Sequence, residues 1–486
     1  MTKSNKSIHD RAPIAEALIA NIAKRTVSFD VPGHKQGQGN PLLRDFIGKQ
    51  ALQYDVNSRR DLDNLIHPTG IILEAEKLAA KAFKAGHAFF IVNGTSAGVQ
   101  TMVMSVAKAG EKIIMPRNVH RSAINALILT GAIPVYVNPG IDMNLGISLG
   151  MSLSDVNLAM DEHPDAKAVF VNNPTYYGVC SNLKGIVEAA HARGMKVIVD
   201  EAHGTHYYFG KNMPISAMAA GADMSAVSMH KTGGSLTQSS FLLIKDPKET
   251  AYVRKVLNLT HTTSGSYLLT ASLDLSRKYL ALNGAKLFAK VVENTEYARQ
   301  EINEIDGYYA FGKELINGDT VYDFDITKLA VYTAGIGLNG IEVYDLLRDK
   351  YDIQIEFGDL GNILAMVSIG DTIPKLERLI GALDEIRDVY GKDSVMLKTQ
   401  EYLHPIVRLS PEAAFYAPQK KVKFANSAGR ISAEMLMAYP PGIPVLAPGE
   451  EITQAAIDTI LYAKAHGSFI TGIEDSTIST IKVLEV

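Results

Sequence analysis

Short apolar runs alternate with amphipathic stretches between residues 88 and 228, and this alternation constrains the fold most strongly. Apolar runs of about five residues are typical of buried strands, whereas apolar residues three or four positions apart indicate helices. Buried strands separated by helices predict an α/β fold with a mainly parallel sheet covered on both faces. The predicted strands are Ala88–Val92, Lys112–Met115, Ile133–Val137, Lys167–Val171, Lys196–Val199 and Met224–Ser228. Such sheets bind ligands in the loops after the carboxyl ends of their strands, so a functional site is expected there.

The 486 residues predict about two to four domains. Past Leu268 the pattern changes to a long helical region, then to strand candidates near Leu329–Tyr332 and Ile353–Phe357 and a helix over Pro374–Tyr390. The prolines from Tyr439 to Pro444 exclude a central strand or a helix interior. We predict four parts, namely a helix and arm at 1–60, a large α/β domain at 61–290, a small α+β domain at 291–392 and a C-terminal domain at 393–486.

Composition and charge limit the possible partners and locations. A net charge of −4 without any basic run gives no reason to expect nucleic-acid or membrane-surface binding. The one cysteine, Cys180, cannot form an intrachain disulfide and indicates a reducing compartment, so a cytoplasmic protein is expected. No apolar run approaches the length of a membrane span, and Glu16 makes the start of the chain an amphipathic helix, not a signal peptide.

Lys231 follows the predicted strand Met224–Ser228 and is preceded by His230. A lysine at the end of a buried strand is costly unless its amine is used, and burial favours the neutral, nucleophilic form. One interpretation is a surface turn, where most lysines lie. The other is a lysine that forms a Schiff base with pyridoxal 5'-phosphate.

The segment Asn93-Gly94-Thr95-Ser96 follows the strand Ala88–Val92 and opens a predicted helix. Free backbone amides at a helix start, with the hydroxyls of Thr95 and Ser96, suit a phosphate group. The alternative is an ordinary helix capped by serine. Neither a Walker loop nor a Gly-x-Gly-x-x-Gly fingerprint is present, which favours a small anion over a dinucleotide.

His120 and Asp200 follow two further predicted strands. His120 is either a capping or core residue, or an aromatic plane stacked on a cofactor ring. A buried aspartate at the end of a strand requires a cation, and a protonated pyridine nitrogen is one such partner. Metal binding by Asp200, Glu201 and His203 is the rival interpretation, but adjacent strand residues point to opposite faces and make a poor metal cluster. No metal site is predicted.

The order of these features resembles the fold-type-I pyridoxal-phosphate enzymes, the aspartate-aminotransferase-like superfamily. The flanking motifs resemble the bacterial Orn/Lys/Arg decarboxylase family, in its short form, and most of all the biosynthetic arginine decarboxylases of Gram-positive bacteria. These motifs are Pro32-Gly33-His34-Lys35, Leu62-Asp63-Asn64-Leu65-Ile66-His67-Pro68-Thr69-Gly70, Asp200-Glu201-Ala202-His203-Gly204, Ser228-Met229-His230-Lys231, Thr262-Thr263-Ser264, Gly429-Arg430-Ile431-Ser432-Ala433-Glu434 and Tyr439-Pro440-Pro441-Gly442-Ile443-Pro444. Asn64 and the inserted Ile66 depart from the family pattern.

The resemblance implies roles for the residues already singled out. Lys231 would bind the cofactor, Asp200 its pyridine nitrogen, and His120 would stack on its ring. Further cofactor contacts would come from Gly94, Thr95, Ser96, Ala202, His203, Ser228 and His230. The family has active sites at a homodimer interface, which implies that Thr263 and Ser264 reach the partner's phosphate.

The implied reaction is decarboxylation of a basic amino acid, arginine being favoured, with Lys231 or His230 returning a proton to the substrate carbon. A guanidinium needs carboxylates, and Glu434 is the first candidate before Asp359 and Glu412. Lysine or ornithine decarboxylation, and an aminotransferase or another lyase on the same fold, are the alternative activities. A non-catalytic regulatory homologue is the alternative from another class.

Overall fold

A computed structural model of the protein describes residues 7–394, 403–439 and 442–485. The α-helices are α1 Pro13–Ala23, α2 Pro41–Ile47, α3 Lys49–Tyr54, α4 Ile71–Ala82, α5 Gly94–Val106, α6 Arg121–Thr130, α7 Leu153–Glu162, α8 Leu183–Ala192, α9 Ala217–Ala220, α10 Met229–Thr232, α11 Thr250–Leu257, α12 Tyr267–Asn303, α13 Gly340–Tyr351, α14 Ile373–Tyr390, α15 Pro411–Tyr416 and α16 Gln454–Ala465. None of the helices in these ranges has both the length and the apolar content needed to cross a membrane.

The strands are β1 His87–Ile91, β2 Lys112–Pro116, β3 Ile133–Val137, β4 Ile141–Asp142, β5 Ile147–Ser148, β6 Ala168–Asn172, β7 Val179–Cys180, β8 Lys196–Asp200, β9 Met224–Val227, β10 Ser240–Ile244, β11 Tyr309–Phe311, β12 Asp323–Phe324, β13 Lys328–Tyr332, β14 Phe357–Gly358, β15 Asn362–Met366, β16 Gln419–Lys423, β17 Leu436–Tyr439, β18 Ile443–Leu446, β19 Phe469–Thr471 and β20 Thr480–Leu484. All six strands predicted between residues 88 and 228 are present, each with ends within one residue of the prediction.

The chain divides into two compact units, and each unit combines two separate stretches of chain. The first unit contains Met1–Ser105 and Asp200–Phe288, and the second contains Val106–Val199 and Ala289–Val486. The predicted boundaries after residues 60, 290 and 392 divide the chain in a different way, and they stay a prediction.

In the first unit, β10 lies between β1 and β9 and runs antiparallel to both. Strands β1 and β9 therefore run in the same direction, and their carboxyl ends lie at the same edge. The register places Ile91 opposite Ser240 and Val227 opposite Phe241, so both strands end beside the first residues of β10. Helix α5 packs closely on this sheet, because a side chain at Gly98 would meet Ala226 and Ile91 at 3.1 Å.

Asp63 organises the loop that leads into α4. It has a positive φ of 72° and is almost completely buried. Its carboxylate accepts hydrogen bonds at 2.7–2.9 Å from the backbone amides of Asn64, Thr69, Gly70 and Ile72. Two of these amides lie at the start of α4, where a negative charge is favourable. Asp63 thus has a structural role, although its motif departs from the family pattern at Asn64 and Ile66.

In the second unit, β3, β2, β6 and β8 are neighbours in that order, and β2 pairs in parallel with β3 and with β6. Strand β2 is apolar and buried along nearly its whole length, as a strand covered on both faces requires. Parallel pairing places the ends of β2 and β6 at one edge. The predicted parallel arrangement of these strands is confirmed.

The rest of the second unit contains smaller antiparallel sheets. One of these sheets has the strand order β11-β13-β15-β14. The strand predicted at Ile353–Phe357 is wrong in its bounds, because only Phe357 and Gly358 form a strand there, which pairs with β15. A second sheet, β18-β17-β19, lies against α16 around the buried residues Leu436, Ile457 and Ile460. Pro444 lies in β18, an edge strand, as a proline in a sheet requires. Pro440 and Pro441 lie outside the described residues.

Candidate active site

The loops after β1 and β9 build the centre of the candidate site in the first unit. Gly94 begins α5 with a φ of 76°, a left-handed conformation that favours glycine. Its backbone amide donates to the carbonyl of Gln238, 2.9 Å away, which fixes the turn beside the segment leading to β10. The next residues enter a helix of 13 residues, whose first backbone amides have no partner within the helix. The turn has the construction of an anion site.

Three buried hydroxyls form a chain across the ends of these strands. Thr95 Oγ1 is hydrogen-bonded to Ser228 Oγ and lies 2.6 Å from Ser240 Oγ. Three hydroxyls carry three hydrogens and share two contacts, so one O–H remains to donate to a further acceptor. Thr205 Oγ1 donates to the Ser228 carbonyl at 3.0 Å and holds that residue in place. Thr95 and Ser228, both predicted from sequence, are therefore brought together.

Lys231 lies on α10, directly after β9, and is half-buried. Its Nζ atom lies 2.8 Å from Nε2 of His203, which is 5% exposed. The two residues come from different loops, after β9 and after β8. Lys231 is thus not a residue of an ordinary surface turn, and its amine contacts a second titratable group.

Asp200 ends β8 and is 6% exposed, and one carboxylate oxygen accepts the backbone amide of Ala202 at 3.1 Å. Glu201 is completely buried and accepts hydrogen bonds from Tyr208, Ser225 and the backbone of Ala217 at 2.5–2.8 Å. Burial raises the pKa of the Glu201 carboxyl from its ordinary 4.5 to about 7, although these hydrogen bonds oppose the rise.

The rival metal interpretation of Asp200, Glu201 and His203 finds no support in these contacts. Glu201 is directed to its own set of donors, and His203 is directed to Lys231. Glu201 and His203 therefore have different partners, and the absence of a metal site here stays a prediction.

The remaining predicted residues of the first unit lie on α10, on the first turn of α5 and on the loop before α12. His230 is half-buried, with Nδ1 3.0 Å from the carbonyl oxygen of Ser239. Ser96 is exposed in the first turn of α5, and Thr263 and Ser264 are exposed. The loop that carries Thr263 is tied to the anion turn, since the side-chain amide of Asn93 donates to the carbonyl just before it, that of Thr260, at 3.2 Å.

His120, in the second unit, lies directly before α6 and caps it. Its Nδ1 accepts the backbone amide of Ser122 at 3.2 Å and lies 2.8 Å from Ser122 Oγ. This is the capping role weighed from the sequence. The ring is half-buried, and its cofactor-stacking role stays a prediction.

The three candidate carboxylates for the substrate side chain lie apart from one another in the second unit. Asp359 is half-buried and accepts hydrogen bonds from Tyr177 and from the backbone of Gly361 and Asn362. Glu434 accepts the backbone amides of Glu474 and Lys482, each at 2.7 Å. Glu412 lies in the first turn of α15, against the end of α6. Two of the three therefore already hold backbone in place.

Ser240, Thr205 and Glu201 also belong to the site, although the sequence pattern did not predict them. Ser240 extends the hydroxyl chain, Thr205 holds the carbonyl of Ser228, and Glu201 lies directly after β8. Ser240 begins an apolar run, Phe241–Ile244, that had not been predicted as a strand. A serine placed directly before such a run is the signal that could have found it.

These residues fit pyridoxal phosphate. Thr95, Ser228 and the start of α5 can hold a phosphate, and the Lys231 amine can bind an aldehyde carbon. The buried carboxylate of Asp200 suits a protonated pyridine nitrogen, because a buried charge needs an opposite one.

Comparisons with known proteins agree with this arrangement. Residues 12–375 match the family described as Orn/Lys/Arg decarboxylase, major domain, and residues 400–473 match the corresponding C-terminal domain. The chain is 45% identical over 485 residues to a protein named arginine decarboxylase from Halalkalibacterium halodurans, with 99% of each chain covered.

Two solved structures establish the fold. The Francisella novicida lysine decarboxylase has a TM-score of 0.87 at 22% identity, covering 98% of this chain and 81% of that chain. An alanine–glyoxylate aminotransferase from Nostoc sp. has a TM-score of 0.54 at 15% identity, covering 69% of this chain and 91% of that chain. The predicted aminotransferase-like α/β fold with smaller C-terminal parts is confirmed.

Proposed function

The chain belongs to the Orn/Lys/Arg decarboxylase family, and we propose that it decarboxylates L-arginine to agmatine and carbon dioxide, as a step of polyamine biosynthesis, with pyridoxal 5'-phosphate as cofactor. The observation that carries the proposal is the Lys231 amine, in contact with His203 beside the Thr95–Ser228 hydroxyls. Arginine is favoured over lysine because the named arginine decarboxylase is 45% identical, whereas the lysine decarboxylase structure is 22% identical.

When bound, pyridoxal phosphate supplies an electron sink for the electron pair that remains when a substrate carbon loses carbon dioxide. The protein would supply a neutral amine at Lys231 Nζ to hold the cofactor through its aldehyde carbon. Asp200 would keep a positive charge in place on the pyridine nitrogen, and His120 would stack on the ring. Lys231 or His230 returns one proton to the substrate carbon.

The start of α5 and the hydroxyls beside it would hold the phosphate of the cofactor. Charge-assisted hydrogen bonds from amides and hydroxyls to an anion are stronger than neutral ones. We propose that this set consists of Gly94, Thr95, Ser96 and Ser228, with His203 and Ala202 beside the ring.

A homodimer with shared active sites, located in the cytoplasm, completes the proposal. Large apolar side chains on the N-terminal arm are strongly exposed in the isolated chain, including Phe29 at 94% and Phe46 at 89%. An exposed apolar patch of this kind marks an interaction surface. Thr263 and Ser264 would then contact the phosphate in the partner subunit. Mixing Lys231→Ala chains with Thr263→Val/Ser264→Ala chains should restore activity only if sites are shared.

The guanidinium end of arginine requires one or more carboxylates, and Asp359, Glu412 and Glu434 remain the candidates. Each amide variant, Asp359→Asn, Glu412→Gln or Glu434→Gln, tests one of them. Loss of a true partner should raise KM for arginine far more than it lowers kcat, because the reacting end of the substrate is unaffected.

The experiment that tests the function is incubation of the pure protein and cofactor with arginine, lysine or ornithine, with identification of the amine formed. We expect agmatine and carbon dioxide in equal amounts, without any keto acid. Cadaverine or putrescine as the main product would assign lysine or ornithine as substrate. A requirement for a keto acid would indicate an aminotransferase. Failure to gain visible absorbance with pyridoxal phosphate would indicate a non-catalytic homologue.

A further inference from the structure

The contact between His203 and Lys231 is a specific pairing of two titratable groups. Nε2 of His203 and Nζ of Lys231 are 2.8 Å apart, within the range of a strong hydrogen bond. When the Lys231 amine is protonated, it has three donors and no acceptor, so Nε2 of His203 accepts and the imidazole hydrogen sits on Nδ1. In that state Nε2 can take a proton from the amine.

The neighbouring histidines are directed elsewhere by their described contacts. His230 donates from Nδ1 to the Ser239 carbonyl, because a carbonyl oxygen can only accept. His206 is completely buried, with Nδ1 3.3 Å from Thr232 Oγ1. Among acidic groups, Glu201 is directed to Tyr208 and Ser225. His203 is thus the imidazole that faces the amine.

We infer that His203 exchanges protons with Lys231 during turnover, a role that rests on the proposed function. The amine must be neutral to bond to the cofactor aldehyde, so one proton moves from Nζ to Nε2 and frees the nitrogen lone pair. Nε2 later returns its proton to Nζ, so that the lysine is again an ammonium. When the substrate carboxylate leaves as carbon dioxide, the carbon keeps the electron pair of the broken bond and takes this proton from Nζ, and solvent supplies the one proton consumed per turnover.

The uptake of pyridoxal phosphate by cofactor-free protein tests this role without any decarboxylation. Uptake is followed by the visible absorbance of the bound cofactor between about pH 6 and pH 10. The variant His203→Gln keeps a hydrogen-bonding group beside Lys231 but cannot carry the proton. We expect its uptake at pH 7 to be about 10²-fold slower, the usual contribution of a general base, and to recover near pH 10, where lysine loses its own proton.

His206→Asn is the matched control, because it removes a second buried imidazole from the same loop. Its uptake should follow the pH profile of the unaltered protein. His203→Ala provides a second variant, whose slow uptake should be restored by added imidazole. A merely structural role would not respond to imidazole.

The inference is overturned if His203→Gln takes up the cofactor at the unaltered rate and with the unaltered pH profile. It is also overturned if His203→Ala is slow at every pH and imidazole has no effect. Failure of the proposed function looks different, because the unaltered protein would then take up no cofactor or form no amine from arginine. Lys231→Ala should show no absorbance from bound cofactor, so it measures the background of the uptake assay.

Discussion

Arg117 and Glu450 form a bidentate ion pair in which both side chains are only 3% exposed. The distances are 2.7 Å between Nη1 and Oε1 and 2.9 Å between Nη2 and Oε2, and Nη2 also donates to the carbonyl of Val445 at 3.0 Å. Arg117 directly follows β2 and lies three residues before His120. Within the second unit, the pair therefore fastens the C-terminal region to the loop that carries His120.

Breaking this pair should destabilise the protein strongly. Glu450→Gln leaves the Arg117 charge buried without its counter-ion, which costs about 3–5 kcal/mol. The neighbouring Glu451 forms a more exposed pair with Arg408, and Glu451→Gln should cost less than about 1 kcal/mol. Urea unfolding curves of the two variants measure the difference. Equal midpoints would show that the buried pair contributes no more than the exposed one.

Lys231→Ala should abolish turnover and the visible absorbance of the bound cofactor, because no other amine replaces Nζ at the aldehyde. Absorbance spectra and an agmatine assay check this. Lys184→Ala, on the exposed face of α8, should leave both unchanged. Full activity in Lys231→Ala would refute the assignment of the cofactor lysine.

Asp200→Asn should retain the cofactor yet lower kcat by about 10²- to 10³-fold, the usual effect of removing one fixed electrostatic partner. Lys231 and the hydroxyl chain remain in this variant, so the absorbance of bound cofactor should persist. The exposed Asp161→Asn is the control. If kcat stayed near that of the unaltered protein, the carboxylate would have no part in the electron-sink chemistry.

Thr95→Val should weaken retention of pyridoxal phosphate about tenfold or more, because a hydrogen bond to a charged group contributes about 1.5–3 kcal/mol. Thr101→Val is the matched control, since Thr101 is buried on the same helix but donates to the carbonyl of Ala97 at 2.7 Å. Equilibrium dialysis measures both affinities. Equal loss of affinity in the two variants would mean that the substitutions act through helix packing and not through a contact with the phosphate.

Glu201 should make stability depend on pH. Its folded-state pKa of about 7 lies above the ordinary 4.5, mainly because of burial, so the folded protein binds the proton more tightly than the unfolded chain. Protonation of Glu201 therefore adds about 3 kcal/mol to the free energy of unfolding. This contribution is fully present below pH 4.5 and is lost as the pH rises through about 7.

The variant Glu201→Gln lacks this titration. Its stability relative to the unaltered protein should therefore improve by about that amount between pH 5 and pH 8, as measured by urea unfolding at both values. Glu188→Gln, at an exposed position, should show no such change. A difference between Glu201→Gln and the unaltered protein that does not vary with pH would contradict the raised pKa.

Much of the fold could be predicted because local patterns determine it. The six predicted strands, β1, β2, β3, β6, β8 and β9, are mainly apolar and bounded by turn residues, so their pattern is visible without tertiary information. Strand β10 was not predicted, because it follows a segment of glycines and hydroxyl residues that is typical of a loop. The expected strand near Ile353 failed because apolar residues there pack without strand pairing, and only Phe357 and Gly358 join the sheet.

The candidate site could be predicted only in part. Lys231, Asp200 and Thr95 lie at strand ends, and topology alone brings such positions to one edge. The contact between Lys231 and His203, and the inclusion of Ser240, depend on how separate loops fold against each other. No spacing along the chain encodes these distances. The backbone contacts of Glu434 are of the same kind, and its sequence gave no sign that amides from two other segments would occupy it.

The antiparallel position of β10 also determines when the site can form during synthesis. Strand β1, whose residues after His87 are all apolar, emerges early from the ribosome, but its partner β10 lies about 150 residues later. The hydroxyl contacts of Thr95 span 133 and 145 residues in the same way. Contacts of such long range form slowly and leave apolar strands exposed in the meantime. The hydroxyl chain therefore cannot form on the nascent chain until β10 has been made, and β1 has no partner strand until then.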